Sequence, residues 1–161
     1  MSMLSEEMQN AEQSDLSEQA TGVLRRTQII VFAMVMGILM IAGILLSVVD
    51  GELKSDIGLL GKLGLAMAGG SLVMSVVIPG VLKSGRGGEH ALELWSKQVV
   101  IGSALLEGGA VMNLIAMLVD ECWYSLAVAG AITAVLLLRF PTKSRLRVWL
   151  QLRQQDGDSG A

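Results

Sequence analysis

The feature that most constrains this chain is an unbroken apolar run, IIVFAMVMGILMIAGILLSVV, from Ile29 to Val49, with no charge between Arg26 and Asp50. A helix rises about 1.5 Å per residue, so about 20 apolar residues cross a hydrocarbon core about 30 Å thick. The run has the length of a membrane span. A second uncharged run, Leu63 to Leu82, lies between Lys62 and Lys83, and its Pro79 falls in the last turn, where the loss of one backbone hydrogen bond is tolerable. Gln98 to Val119 is broken by one charge, Glu107, while Cys122 to Leu138 is short but flanked by Trp123 and Tyr124 at one end and Arg139 at the other.

These runs predict an all-α polytopic membrane protein, an antiparallel bundle of four transmembrane helices with spans over about 29–49, 63–82, 98–119 and 122–138. They divide the chain into an acidic N-terminal arm (1–26), a membrane domain (27–140) and a basic amphipathic C-terminal segment (141–161). The balance of 52% hydrophobic against 17% charged residues in 161 leaves too little charge to cover a soluble enzyme domain. The first span reads as retained in the mature protein. Its apolar run is too long for a cleaved signal, no basic residue precedes Arg25, and no small-residue cleavage pattern follows.

Lys and Arg in short flanks resist translocation and so set orientation. With the N-terminus in the cytoplasm, Arg25, Arg26, Lys83, Arg86, Lys97, Arg139, Lys143, Arg145, Arg147 and Arg153 fall inside and only Lys54 and Lys62 outside, ten against two. Both termini are therefore expected to be cytoplasmic, and the outer loops collect Asp50, Glu52, Asp56, Asp120 and Glu121. Trp95, Trp123, Tyr124 and Trp149 all fall at span boundaries, where an amphipathic ring is half buried and half wet, and are expected to anchor the protein at the membrane interface.

The margins carry less. Glu6, Glu7, Glu12, Asp15 and Glu18 have no balancing cation, and Leu4, Met8 and Leu16 are too sparse for a core, so the arm is expected to be disordered or a frayed helix. Glycines 85, 87 and 88 break the second helix, and Leu92, Trp95 and Val99 share a face of a third helix that starts before the membrane. After Arg139 a helix restarts at Thr142 with Leu146, Trp149 and Leu150 on one side. Lys143, Arg145, Arg147 and Arg153 are lipid-headgroup candidates there, for a helix lying on the inner leaflet or packed on a partner.

Chemistry is thinly represented. Cys122 is the only cysteine and His90 the only histidine, so one chain builds neither a disulfide nor a Cys/His zinc site. Glu89, His90 and Glu93 are read as a solvated helix start, and neither a metal nor any other cofactor is assigned. The net charge of −3 gives no reason to expect nucleic acid as a partner.

Small residues let helix backbones approach closely in lipid, where apolar surface alone does not drive association. Gly61, Gly64, Ala68, Ser71 and Ser75 form such a ridge on the second span. The third pairs Ala104 with Gly108 and Gly109 with Asn113, and the fourth pairs Ala127 with Ala131 and Gly130 with Ala134. Glu107 is the residue that does not fit, since a charged carboxylate near the bilayer midplane costs about 2.5–3.5 kcal/mol on insertion scales. It is expected to hold its proton, sharing hydrogen bonds with Ser71, Ser75 or Thr133, and it is the one candidate site for a proton or cation.

The stretch ALLEGGAVMNLIAMLVD (Ala104 to Asp120), with LRFPTKSRLRVWL (Leu138 to Leu150) after it, resembles a loose family of small bacterial four-span inner-membrane proteins of uncharacterised function. The shared elements are ALxEG in the third span and PTxxR after the fourth. The resemblance implies a bacterial cytoplasmic membrane and carries no activity. Ala104 to Val119 is also similar to the carboxylate helix of rotary ATPase proteolipids, in which a mid-membrane Glu binds the coupling ion. The first two spans hold no second copy of that motif, and the cation count places both termini on the wrong side. The expectation is thus a non-enzymatic scaffold or accessory subunit whose partners are the bilayer and other membrane subunits or copies of itself. The alternative is a proton- or cation-handling component built on Glu107.

Overall fold

The computed structural model describes the backbone of residues 2–49, 53, 55–81 and 88–158, and within these the side chains of 18–49, 53, 55–78 and 92–152. The described residues form five helices: α1 (Ser2–Val48), α2 (Leu59–Val81), α3 (Gly88–Asp120), α4 (Trp123–Leu138) and α5 (Lys143–Asp158). Three segments, Glu18–Val48, Leu59–Ile78 and Leu92–Asp120, are long and apolar enough to cross a membrane. A fourth arises if α4 and α5, bent 69° from one another, count as one broken span.

The helix of α1 does not stop at the apolar run. It continues back to Ser2 over 47 residues, so the acidic arm, expected as disordered or frayed, is a direct extension of the first apolar helix. Glu, Met, Gln, Leu and Ala are good helix formers, and nothing in the arm interrupts the ladder once the apolar part has nucleated it. At the other end of the scale, α4 has only 16 residues, about 24 Å of helix.

The hub of the fold is α3, which packs against α2, α4 and α1, while α1 and α2 each touch α4 over a much smaller area. The core shows the spacing that brings helix faces together: Val31, Val35 and Ile38 from α1, Leu106, Ala110 and Leu114 from α3, and Ala129, Ile132 and Leu136 from α4, with Ala68 from α2. The α2 contribution is small because its ridge is small. Gly61, Gly64, Ala68 and Ser75 are all buried, and the position of a Cβ on Gly109 would lie 2.9 Å from Ser71 Oγ, so α2 and α3 approach almost backbone to backbone.

The small residues expected to seam α4 do not. Ala127, Gly130, Ala131 and Ala134 are exposed, and α4 packs through Ser125, Ala129, Ile132, Thr133 and Leu136 instead. Ala104 and Gly108 of α3 also face outward. Spacing alone marks every small-residue stripe, whereas packing selects the one that lies beside the larger apolar side chains of the core.

A second apolar cluster closes the end of the fold where α5 begins. Leu24 of α1, Leu92 and Trp95 of α3 and Leu146 of α5 are buried together, with Trp149 and Leu150 packed at their edge. The apolar face of α5 therefore docks on this chain's own α1 and α3. Trp95, expected as a half-wet interface anchor, is 5% exposed and is a packing residue; Trp149 is half-buried in the same cluster. Trp123 and Tyr124 do remain outward, 44% and 40% exposed, with their rings stacked 4.0 Å apart.

Candidate functional site

Glu107 lies in the middle of α3 and is half-buried. Its carboxyl faces α1, where a Cβ on Gly37 would lie in ordinary van der Waals contact with Glu107 Oε1, at 3.8 Å. The three expected partners are placed elsewhere. Ser71 Oγ donates to Met67 O at 2.7 Å, Ser75 Oγ to Leu72 O at 2.8 Å and Thr133 Oγ1 to Ala129 O at 2.8 Å, each within its own helix. The reason is angular. Gly109, which meets Ser71, stands about 200° around the helix from Glu107, so the acid points away from α2. Among the described residues, no hydrogen-bond or ion-pair partner reaches Glu107.

Asn113, Thr27 and Gln28 each tie one element to another. Asn113 is fully buried, and its Nδ2 donates to Gly64 O of α2 at 2.9 Å and to Gly109 O at 2.8 Å. Two carbonyls at that nitrogen fix the orientation of the amide, because a flipped side chain would set oxygen against oxygen. Its Oδ1 has no hydrogen-bond donor among the described residues and rests against Gly64, where a Cβ would come within 2.9 Å. Thr27 of α1 meets Ser96 of α3, Oγ1 to Oγ, at 2.8 Å, and Gln28 Nε2 donates to Pro141 O in the turn between α4 and α5 at 2.9 Å.

Asp120, the last residue of α3, caps α2. Gly58 starts α2 by accepting the Lys62 N–H at 3.2 Å, but as glycine it has no side chain for the free N–H groups of the first turn. Asp120 Oδ2 takes the Gly61 N–H at 2.6 Å and fills the space a Gly58 side chain would occupy. Its negative charge also suits the positive end of the α2 dipole. The turn that follows is tight: Glu121 has φ +50°, and the buried Cys122 is extended and precedes α4.

At the opposite end of α4, Arg139 terminates the helix and reaches sideways to α2, where Nη1 donates to Ser75 Oγ at 2.7 Å. Lys143, Arg145 and Arg147 stand exposed nearby, with Arg145 Nη2 on Leu138 O at 2.9 Å; the Arg153 side chain lies outside the described residues. So do the side chains of Glu89 and His90, whereas Glu93 pairs with Lys97 at 3.4 Å on the surface. Lys54, Lys83 and Arg86 of the cation count, and Asp50 and Glu52 of the outer loops, are also outside the described residues. Among the described residues no group of three His, Cys, Asp or Glu side chains comes together as a metal site.

The Asp120 cap and the Arg139 link escape a reading of the sequence because both join residues about 60 positions apart. Their only local signals were a helix starting at glycine and a cation directly after a short apolar run. Compared with known proteins, the chain matches no family model, no curated protein and no solved structure.

Proposed function

We propose that this chain is a multi-pass protein of the bacterial inner membrane, an antiparallel bundle with both termini cytoplasmic, that serves as a non-catalytic scaffold or accessory subunit of a membrane assembly. The observation that carries the membrane part is the surface of α1. Val31, Val35 and Ile38 face the core, while Ile29, Phe32, Met36, Leu39, Met40 and Ile44 are 48% to 66% exposed around the rest of the helix. Water penalises an apolar surface of that extent, and hydrocarbon does not. The scaffold part is supported by the use of the buried and half-buried polar groups: Thr27, Gln28, Asn113, Asp120 and Arg139 each hold two elements of the chain together.

Reporter fusions at Leu53 and Glu89 test the membrane reading and are expected to report opposite compartments. The same compartment for both, or a chain that stays in the aqueous phase without detergent, overturns it. Affinity purification in mild detergent tests the scaffold reading: a reproducible membrane-protein partner supports it, and repeated recovery of the chain alone overturns it.

The alternative, a proton- or cation-handling component, is favoured by one feature, the Glu107 carboxyl beside Gly37 with no partner among the described residues. Glu107→Gln keeps the shape and removes titration. Loss of ion flux in that variant supports this alternative, and unchanged flux in reconstituted vesicles rejects it.

A further inference from the structure

A shallow, open-sided groove of about 420 Å³ lies against α2, with an apolar wall of Leu72, Val73, Val76 and Val77 and with Arg139 as its one charged lining residue. The wall is wholly apolar and outward-facing, with Val73 and Val76 60% and 62% exposed. Arg139 is a half-buried cation. Among the described residues Arg139 has no carboxylate partner, and its side-chain hydrogen bonds run from Nη1 alone to Ser75. The guanidinium presents five N–H donors in a planar fork that fits phosphate, and among the described residues Nε and Nη2 have no acceptor.

Helix length explains why a cation stands there. α4 ends after 16 residues, and Arg139 meets α2 at Ser75, six residues before α2 ends at Val81. The charge is therefore held about 9 Å short of the end of α2. Ser75 keeps it from swinging out along α5, so the cation has to be met where it stands.

We infer that this groove binds an anionic phospholipid, with its phosphate on Arg139 and an acyl chain along Leu72, Val73, Val76 and Val77. The assignment rests on the membrane reading above. Charge complementarity selects the occupant. An apolar helix of a partner would leave the guanidinium without an anion, whereas a phospholipid supplies the anion and the hydrocarbon in one molecule. The site is distinct from the exposed Lys143 and Arg147 of α5, which act on a membrane surface only as a diffuse field.

The test uses the full chain in non-ionic detergent micelles, given equal amounts of dioleoyl phosphatidylglycerol and dioleoyl phosphatidylcholine, with retained lipid counted by native mass spectrometry. The chain is expected to retain phosphatidylglycerol over phosphatidylcholine by about fivefold, the effect of one basic group near a lipid surface. Arg139→Gln is expected to bring the two lipids to parity. Because that change also removes the link to Ser75, Val76→Trp provides a second arm that fills the groove and leaves Arg139 in place; it is also expected to abolish the preference. The Lys143→Gln/Arg147→Gln double variant is expected to keep it. An undiminished preference in Val76→Trp, or its loss in the double variant, overturns the inference. A chain that enters micelles and shows no lipid preference overturns this inference alone, whereas one that never enters them overturns the membrane reading.

Discussion

At the scale of single residues, one of the tight fits between α2 and α3 is Gly64 against Asn113. Asn113 is held by two hydrogen bonds and cannot retreat, so a Cβ on Gly64 at 2.9 Å from Oδ1 forces the backbones of α2 and α3 apart. Gly64→Ala is expected to lower stability by about 1–3 kcal/mol, as overpacking of a tight core does. Gly69→Ala and Gly70→Ala, which meet nothing within 4 Å, are expected to be neutral or slightly stabilising through helix propensity. Unfolding in mixed detergent measures all three, and equal effects would show that the close approach of α2 and α3 carries no energetic weight. The sequence marks Gly64 and Asn113 as small and polar residues inside apolar runs, and places both on helix faces suited to contact. It does not mark Glu107 as facing α1, because that depends on which way α3 is turned about its axis. The turn is set by Leu106, Ala110 and Leu114 packing on two neighbours at once, a sum of distant contacts that no local spacing contains.

At the scale of elements, the ends of the helices are held by residues of other helices, and these holds are measurable. Asp120→Ala removes the acceptor from the Gly61 N–H and is expected to cost about 0.5–2 kcal/mol, the usual effect of losing an N-cap, while Asp120→Asn keeps an acceptor and should cost less. Amide hydrogen exchange in the first turn of α2 reads the difference directly; equal exchange in both variants and the parent would show that the cap does no work. The place of α5 is testable in the same way. Its basic side is exposed, but Leu146 is buried among Leu24, Leu92 and Trp95. Leu146→Glu buries a carboxylate in that cluster and is expected to release α5, seen as faster proteolysis after Arg145 or Arg147 with the core helices still protected. An unchanged cleavage pattern would show α5 to be held by something other than this cluster. The amphipathic pattern of α5 was legible from Leu146, Trp149 and Leu150, but the surface it covers was not. The same stripe suits a leaflet, a partner or this chain's own α1 and α3, and only the assembled fold distinguishes them.

At the scale of the whole molecule, the helices are unequal in length, and the proposed bilayer has to accommodate them together. α2 has 23 residues and α4 has 16, about 34 Å against about 24 Å of helix. A hydrocarbon core about 30 Å thick is matched by the first and exceeds the second, and each ångström of mismatch costs a fraction of a kcal/mol. α4 cannot lengthen by tilting less, because its ends are fixed: Arg139 is bonded to Ser75 of α2, and the Glu121–Cys122 turn joins it directly to α3. The remaining response is local thinning of the bilayer around α4, beside the groove and its guanidinium. The folded protein should therefore be most stable in thin bilayers. Reconstituted in phosphatidylcholines of increasing chain length, from 14 to 22 carbons, it is expected to lose a few kcal/mol of stability across the series, by the per-ångström cost above. Extending α4 by one turn, with four leucines inserted after Leu136, is expected to flatten that dependence while breaking the Arg139–Ser75 bond. Constant stability from the thinnest to the thickest bilayer would show that α4 does not span it, and would favour the bent pair α4–α5 acting as one broken span.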